Sequence, residues 1–345
     1  MKILIAASNM VHINNFHRSY INEFREAGHD VYIMASGEGA DFNIPFKKRS
    51  LSIKNLRLSS KIKKIIKKEQ FDVVYLHTTL AAFWIRFALK GIKKRPIVVN
   101  TVHGYLFGKG FSSLHNKIYL SCEKMMRNIT DHIVVMNDED FKIAKDNSLS
   151  LGEIYRINGM GIDFSKKNIE RASPQYPPKN LIYVGELNKR KNQIFLVKAM
   201  KRLPDMHLTL VGDGKERKAI EKYIKKERLE ERVKITGFTK NVGEYLKNAD
   251  LYVSASTIEG LPFNILEAMQ AGLPVVASNI KGQNDILPNE SLYELSSIDS
   301  YVSLVNSKLK ADYDLSKYTS SVALRENMDI YSLCTGNLVY AEKQI

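Results

Sequence analysis

Short runs of Val, Ile and Leu alternate with amphipathic helical stretches along most of the chain, and this alternation limits the fold more than any other sequence feature. The candidate strands of the first half are Ile3–Ala6, Val31–Met34, Val73–Leu76, Ile97–Val102, Ile133–Met136 and Ile154–Ile157. Those of the second half are Leu181–Val184, Leu208–Val211, Val233–Thr236, Leu251–Val253 and Val275–Ala277. Continuous apolar strands separated by helices, such as those expected at Phe16–Ala27 and Glu216–Lys226, are typical of parallel sheets covered on both faces. The two sets predict two doubly wound α/β domains.

A proline-rich segment, Ala172–Asn180, lies between the two sets of strands. Its three prolines can continue neither a helix nor a central strand, so it is expected to be the interdomain linker. The predicted domains are residues 1–172 and 173–314, followed by C-terminal helices at 315–345. A length of 345 residues agrees with two domains.

The composition is that of an ordinary globular protein, with 44% hydrophobic and 26% charged residues. This excludes a disordered chain and a disulfide scaffold. Cys122 and Cys334 do not form a CxxC pair, so they predict a reducing compartment and no zinc site. No apolar run reaches the roughly 20 residues of a membrane span, and the start of the chain is interpreted as a strand rather than a signal peptide. A cytoplasmic location is expected.

The net charge of +15 is concentrated between residues 51 and 100, which hold 12 Lys and Arg against two acidic residues. Within Arg57–Lys68 the isoleucines fall at helical spacing and the lysines occupy the other faces. Three interpretations remain open: a solvated helix face, a surface for anionic lipid headgroups, and a nucleic-acid surface that no binding motif accompanies. The candidate membrane-binding residues are Lys61, Lys63, Lys64, Lys67 and Lys68.

The sharpest motif joins two glutamates eight positions apart, Glu259 and Glu267, at the start of a helix that should end near Gly272. It follows the strand Leu251–Val253, and ligands of parallel sheets bind at the carboxyl ends of strands. Free N–H groups at a helix start suit phosphate, and Gly260 lets the backbone approach a ligand. Spacing alone is equally compatible with a capped helix bearing two solvated glutamates.

This segment resembles the EX7E motif of the retaining family-4 glycosyltransferases, which have the GT-B fold. Further resemblances occur in the family's order at His103-Gly104, Asn158–Asp163, Val184–Leu187 with Lys191, Val211–Gly214 and Gly237-Phe238. The likeness covers about residues 1–290. The first half, with His103–Gly110, Glu123 and Asn137–Asp140, is most similar to bacterial enzymes that build capsular and extracellular polysaccharide. The resemblance implies two facing doubly wound Rossmann-like domains with an interdomain cleft, and a C-terminal stretch at about Leu315–Tyr340 that crosses back to the first domain.

The resemblance also implies residue roles. Glu267 would bind the ribose hydroxyls of the nucleotide, and Glu259 would lie at the donor sugar. Lys191, helped by Arg190, would neutralise the diphosphate, and His103 would contact the donor sugar from the opposite domain. Further donor-binding candidates are Gly212, Gly237, Phe238, Gly260, Leu261 and Phe263.

The sequence departs from the family pattern at two places. Glu186 stands where arginine is common, although Lys189, Arg190 and Lys191 can compensate its charge. The family's Gly-Gly pair after the first strand is replaced by Ser8-Asn9, so Asn9, His12 and Phe16 are the acceptor-binding candidates.

No metal site and no cofactor are expected. The eight histidines are scattered without an HxxxH spacing. The acidic triplets Asp138–Asp140 and Asp312–Asp314 are interpreted as a helix N-terminal turn and a polar loop.

The expected function is therefore transfer of a sugar from a nucleotide diphosphate, UDP being favoured, to a polyprenyl-diphosphate-linked saccharide. The enzyme would be peripheral on the anionic inner face of the cell membrane, with no nucleic acid as partner. A UDP-sugar 2-epimerase of the same fold and a non-catalytic basic binding module are the alternatives.

Overall fold

The computed structural model describes residues 1–47, 53–164 and 175–336. It divides into two compact units: Met1–Gly161 with the described residues from Lys317 onward, and Ile162–Ser316. The predicted boundary at residue 172 and the linker residues 172–174 lie outside the described residues.

The first unit contains a seven-stranded parallel sheet in the order β3-β2-β1-β4-β5-β6-β7. Its strands are β1 (Lys2–Ala6), β2 (Asp30–Ala35), β3 (Phe42–Asn43), β4 (Val73–His77), β5 (Ile97–Val102), β6 (His132–Val135) and β7 (Ile154–Arg156). The helices between them are α1 (Met10–Phe16), α2 (Arg18–Glu26), α3 (Ile53–Glu69), α4 (Thr79–Leu89), α5 (Ser113–Met126) and α6 (Asp138–Asp146). The residues of β4 are all buried, as expected of a central parallel strand.

The second unit contains a six-stranded parallel sheet in the order β10-β9-β8-β11-β12-β13. Its strands are β8 (Asn180–Val184), β9 (His207–Val211), β10 (Val233–Gly237), β11 (Leu251–Ser254), β12 (Val275–Ser278) and β13 (Leu292–Tyr293). Its helices are α7 (Gln193–Ala199), α8 (Arg217–Lys226), α9 (Val242–Lys247), α10 (Phe263–Gln270) and α11 (Ile298–Val305).

The last helix, α12 (Ser320–Thr335), belongs to the first unit. Asn327 Nδ2 donates to the Tyr20 hydroxyl at 2.8 Å and to the Gly159 carbonyl at 2.9 Å. Gly161 has a φ of +81°, and a Cβ there would lie 2.7 Å from the Ser320 Cα. Glycine at this position therefore lets the helix pack closely on the first unit.

Every strand expected from the sequence is present, with ends shifted by no more than a residue or two. The helix expected at Phe16–Ala27 is wrong in one respect, because α1 ends and α2 begins on either side of His17. The basic segment forms α3, in which Ile62 and Ile66 are buried in the core of the first unit. Cys122 and Cys334 are both free. None of the helices in the described ranges combines the length and apolar character that a membrane span needs.

Candidate active site

Glu259 lies in the loop after β11 and is only 6% exposed. Its Oε1 accepts a hydrogen bond from Lys191 Nζ at 2.6 Å, and its Oε2 accepts one from Arg190 at 2.7 Å. We call Arg190, Lys191 and Glu259 the ion-pair site. An ionised carboxylate can be buried here because two cations satisfy both of its oxygens.

The two cations are held by the turn that follows β8. The Lys191 amide donates to Asn188 Oδ1 at 2.9 Å, and the Thr257 amide donates to the Arg190 carbonyl at 2.8 Å. Arg190 also donates to the carbonyl of Ile258, the residue before Glu259. The loops after β8 and β11, neighbouring strands in this sheet, are thus fixed to each other and place the three charges together.

The electrostatics of the ion-pair site follow from one anion facing two cations. Burial alone would raise the pKa of Glu259, but Lys191 and Arg190 outweigh burial and hold that pKa below its usual range. The pKa of Lys191 is lowered, because burial and the neighbouring Arg190 disfavour its charge more than Glu259 favours it. The site therefore carries an excess positive charge that a bound anion would stabilise.

Glycines let the loops at the carboxyl ends of β8 and β9 pack closely on each other. Gly185 has a φ of +147° and Gly212 a φ of +149°, which favour glycine, and a Cβ on Gly212 would lie 2.0 Å from the Gly185 carbonyl oxygen. Gly212 also forms an isolated bridge with Gly237, at the end of β10. Glycine is therefore required at positions 185 and 212 by the backbone conformation and by this close packing.

Helix α10 begins four residues after Glu259. Asn264 in its first turn donates to the Val184 carbonyl at 2.9 Å and to the Tyr252 hydroxyl at 2.8 Å, which ties the helix start to the end of β8. Glu267 lies on the next turn and is partly exposed. The structure thus places Gly260, Leu261 and Phe263 in the segment between Glu259 and Glu267.

Phe238, a donor-site candidate, and Glu186 both lie on the surface of the second unit. Phe238 is 79% exposed, so the structure shows no packing that would hold its ring in place. Glu186, the departure from the family pattern, is exposed and accepts a hydrogen bond from Asn188 Nδ2 at 3.0 Å rather than burying its charge.

In the first unit, four histidines gather around the carboxyl ends of β4 and β5, and we call His12, His17, His77 and His103 the histidine cluster. His77 Nδ1 lies 3.2 Å from His103 Nε2, and the rings of His17 and His77 are in contact, with centroids 3.8 Å apart and planes tilted by 31°. The His12 and His103 rings meet edge to face at 4.7 Å. His103 and His12 were expected to bind sugars, whereas His17 and His77 were missed.

The histidine cluster is held in the neutral form. Burial is the main cause, and it lowers the pKa of His12 to about 4 and the pKa values of His17, His77 and His103 well below their usual range. Neighbouring histidines lower the last three further, since like charges would repel.

The other acceptor candidates have local partners. Asn9 caps α1: its side-chain oxygen accepts a hydrogen bond from the His12 amide at 3.0 Å. That oxygen is therefore already used in a structural hydrogen bond. The Phe16 ring lies 5.0 Å from that of His12.

The acidic triplet Asp138–Asp140 forms the first turn of α6, as expected. Asp140 is buried and accepts hydrogen bonds from the Tyr105 amide and from Asn137 Nδ2. Glu123, noted for its likeness to capsule enzymes, forms a buried two-pronged ion pair with Arg86 at 2.9 and 3.1 Å. Both groups therefore hold the first unit together.

The chain is similar to known proteins over most of its length. Residues 14–145 match the family described as Glycosyltransferase Family 4, and residues 165–323 match Glycosyl transferases group 1. The chain is 28% identical over 312 residues to the putative glycosyltransferase EpsD of Bacillus subtilis, covering 83% of this chain and 81% of that protein. It is 29% identical over 283 residues to the Escherichia coli UDP-Gal:alpha-D-GlcNAc-diphosphoundecaprenol alpha-1,3-galactosyltransferase, covering 76% and 72%.

Among solved structures, Anabaena HepE in complex with UDP and glucose superposes with a TM-score of 0.73 at 18% identity, over 96% of this chain and 99% of that one. That likeness shows the fold, and the family matches confirm the resemblance found in the sequence. The chain belongs to the glycosyltransferases: it has the GT-B fold, with a family-4 first unit and a group-1 second unit, and is homologous to bacterial capsule and exopolysaccharide glycosyltransferases.

Proposed function

We propose that this enzyme is a retaining glycosyltransferase that moves a hexosyl or N-acetylhexosaminyl group from a UDP-sugar to a lipid-linked saccharide in capsule, exopolysaccharide or O-antigen synthesis. The observation that carries the proposal is the ion-pair site at the carboxyl ends of β8 and β11. Its two cations and one buried anion suit a ligand that brings a diphosphate and a polar sugar together.

The charges of this site match the demands of the reaction. As the glycosidic bond breaks, the diphosphate gains negative charge, and fixed cations at Arg190 and Lys191 lower the barrier. Glu259, ionised through its ion pairs, stabilises the positive charge that develops on the sugar ring. The cations and the start of α10 supply the positive charge that a metal would otherwise bring, so the proposed donor chemistry needs no metal. Glu267 is assigned to the ribose hydroxyls.

The donor and acceptor classes rest on two similar proteins. The Escherichia coli relative is named for UDP-Gal and for a diphosphoundecaprenol-linked acceptor, and HepE was solved with UDP and glucose. We therefore assign UDP as the nucleotide and a polyprenyl-diphosphate-linked saccharide as the acceptor.

A lipid-linked acceptor implies docking of the enzyme on the inner face of the cell membrane. Of the five candidate lysines on α3, Lys61, Lys64, Lys67 and Lys68 are exposed, whereas Lys63 is partly buried and donates to the Lys90 carbonyl at 2.9 Å. Helix α5 adds an apolar stripe that sequence reasoning missed: Leu114 is 70%, Ile118 52% and Met125 49% exposed. The lysines would attract anionic headgroups and the stripe would enter the interface.

Membrane docking is tested with a charge-matched pair of variants. Replacement of Lys61, Lys64, Lys67 and Lys68 by Gln should weaken binding to phosphatidylglycerol vesicles and reduce its salt dependence. Replacement of the exposed Lys218, Lys222, Lys225 and Lys226 of α8 by Gln removes the same charge from the second unit and should leave binding unchanged. Equal losses in both variants would refute a docking surface on α3.

Measurement of catalytic turnover distinguishes a glycosyltransferase from the two alternatives. The purified enzyme should release UDP from one UDP-sugar only when a synthetic polyprenyl-diphosphate saccharide is present, and NMR should show an α-linked product from an α-linked donor. Isomerisation of the sugar at C2 without acceptor would identify an epimerase instead. Tight UDP binding without turnover on any acceptor would identify a binding protein.

A further inference from the structure

The histidine cluster contains three ligating nitrogens in the right proximity for one metal ion. One ring nitrogen from each of His12, His17 and His103 lies within 4.8 Å of the other two. The nitrogens of a tetrahedral Zn²⁺ site, each about 2.0–2.1 Å from the ion, lie about 3.4 Å apart, so rotation of the rings would be needed to bring the set together around an ion. Three histidines with a fourth position left open form a common zinc coordination sphere.

Two ring nitrogens of the histidine cluster are buried without a hydrogen-bond partner. His17 is 1% exposed, and its Nε2 has no partner, nor has the buried Nε2 of His12. A buried polar atom without a hydrogen-bond partner is destabilising, and coordination of a metal ion would remove that cost at both atoms. His12 and His103 are partly exposed, which gives an ion a route to the cluster.

His77, the fourth histidine of the cluster, is positioned to form a hydrogen bond with His103. It is 2% exposed, and its Nδ1 is 3.2 Å from His103 Nε2. Metal-binding histidines generally use their second nitrogen in a hydrogen bond that fixes the ring. His77 itself is fixed at the end of β4, where the next residue, Thr78, has a φ of +71° and accepts the Ser8 amide at 2.9 Å.

The histidine cluster is suited to a metal cation that prefers imidazole ligands. A neutral imidazole offers the lone pair that a metal needs, and the Nε2 atoms of His12 and His17 have no hydrogen-bond partner that would occupy it. Imidazole nitrogens select Zn²⁺, Ni²⁺ or Cu²⁺ rather than Mg²⁺.

We propose that His12, His17 and His103 bind one transition-metal ion, with Zn²⁺ as the working case and His77 as the positioning residue for His103. The proposed metal site lies in the first unit, whereas the ion-pair site lies in the second. Since His103 and His12 were expected to contact sugars, occupancy by Zn²⁺ should inhibit transfer; this second statement alone rests on the proposed function.

Metal binding is measured directly, independently of activity. Chelator-treated full-length protein is titrated with Co²⁺, followed by its visible absorption, and with Zn²⁺ in competition. We expect one equivalent bound. His12→Gln and His17→Gln should each weaken binding more than about 100-fold, and His77→Gln about 10–100-fold. His207→Gln is the matched control, because His207 is exposed on the second unit; it should bind as the native chain does.

Several results would overturn the proposal. Native-like Zn²⁺ affinity in both His12→Gln and His17→Gln, no stoichiometric binding, or stabilisation by inorganic phosphate in place of Zn²⁺ would each do so. Circular dichroism and the fluorescence of Trp84, the sole tryptophan of the sequence, check that each variant is folded. If Zn²⁺ binds but UDP turnover is unaffected, the inhibitory role fails while the site stands. If turnover is never found, the proposed function fails and the metal result is unchanged.

Discussion

The ion-pair site and the histidine cluster both stand at the carboxyl ends of parallel strands, yet they solve the burial of ionisable groups in opposite ways. Glu259 stays charged because Arg190 and Lys191 saturate its carboxylate. The four histidines have no carboxylate partner in the hydrogen bonds described, and burial holds them neutral. The ion-pair site therefore has a fixed charge suited to charged transition states. The histidine cluster instead has nitrogen lone pairs that can bind protons or metal ions.

Glu259→Gln should give the largest effect, because it removes the fixed charge while keeping the shape. We expect kcat to fall about 10²–10³-fold with a smaller change in KM for the UDP-sugar, since the charge acts mainly in the transition state. Steady-state kinetics with saturating acceptor measure this. Glu186→Gln, an exposed glutamate on the neighbouring loop, should be near native. A rise in KM at constant kcat would place Glu259 in ground-state binding instead.

Glu267→Ala should have a smaller and different effect. Loss of a partner for the ribose hydroxyls should raise KM for the donor about tenfold and leave kcat nearly unchanged. The native enzyme should discriminate UDP from its 2′,3′-dideoxy analogue, and the variant should not. Glu290→Ala changes an exposed glutamate of the same unit and serves as the control. Continued discrimination by the Glu267 variant would remove the ribose assignment.

A moderate decrease in pH should reduce the stabilising contribution of the histidine cluster before that of the ion-pair site. Histidines with an ordinary pKa of 6.5 when unfolded bind more protons in the unfolded state, because burial lowers the pKa of His12 to about 4 in the folded state. Stability should therefore be full above pH 6.5 and decline towards pH 4, by up to about 1.4 kcal/mol per pH unit for each histidine. The pKa of Glu259 is also lowered, so its contribution is present above 4.5 and lost only below that.

Urea unfolding of chelator-treated protein, followed by Trp84 in the first unit, measures this dependence between pH 7 and pH 5. His12→Gln should flatten the decline, and His207→Gln should not. An equally steep decline in both variants would show that other groups take up the protons.

How much of the structure can be predicted from the sequence depends on how far apart in the sequence the interacting residues lie. Ile97–Val102 is a strand over the very residues expected, because an apolar run between helices is a local signal. β3 and β13 are two residues long and leave too little pattern to detect. The helix break at His17 was missed because apolar periodicity continues across it, whereas the ring of His17 contacts the ring of His77, which is distant in sequence.

The functional sites show the same limit. Motif resemblance named Glu259 and Lys191, but their direct pairing joins residues 68 positions apart and appears only in the structure. The histidine cluster was missed because its members are dispersed in sequence. One signal was available: His77 ends β4 and His103 follows β5, so neighbouring parallel strands would bring them to one edge.

Calorimetric titration of UDP and of uridine, in the presence of EDTA, tests the central claim most directly, because the two ligands differ only by the diphosphate. The account predicts that UDP binds the native enzyme at least about 100-fold more tightly than uridine, a difference of about 2.7 kcal/mol. In Lys191→Gln the difference should shrink about tenfold or more. Equal affinity for the two ligands, or UDP binding that appears only with Mg²⁺, would contradict a donor site built on Arg190, Lys191 and Glu259.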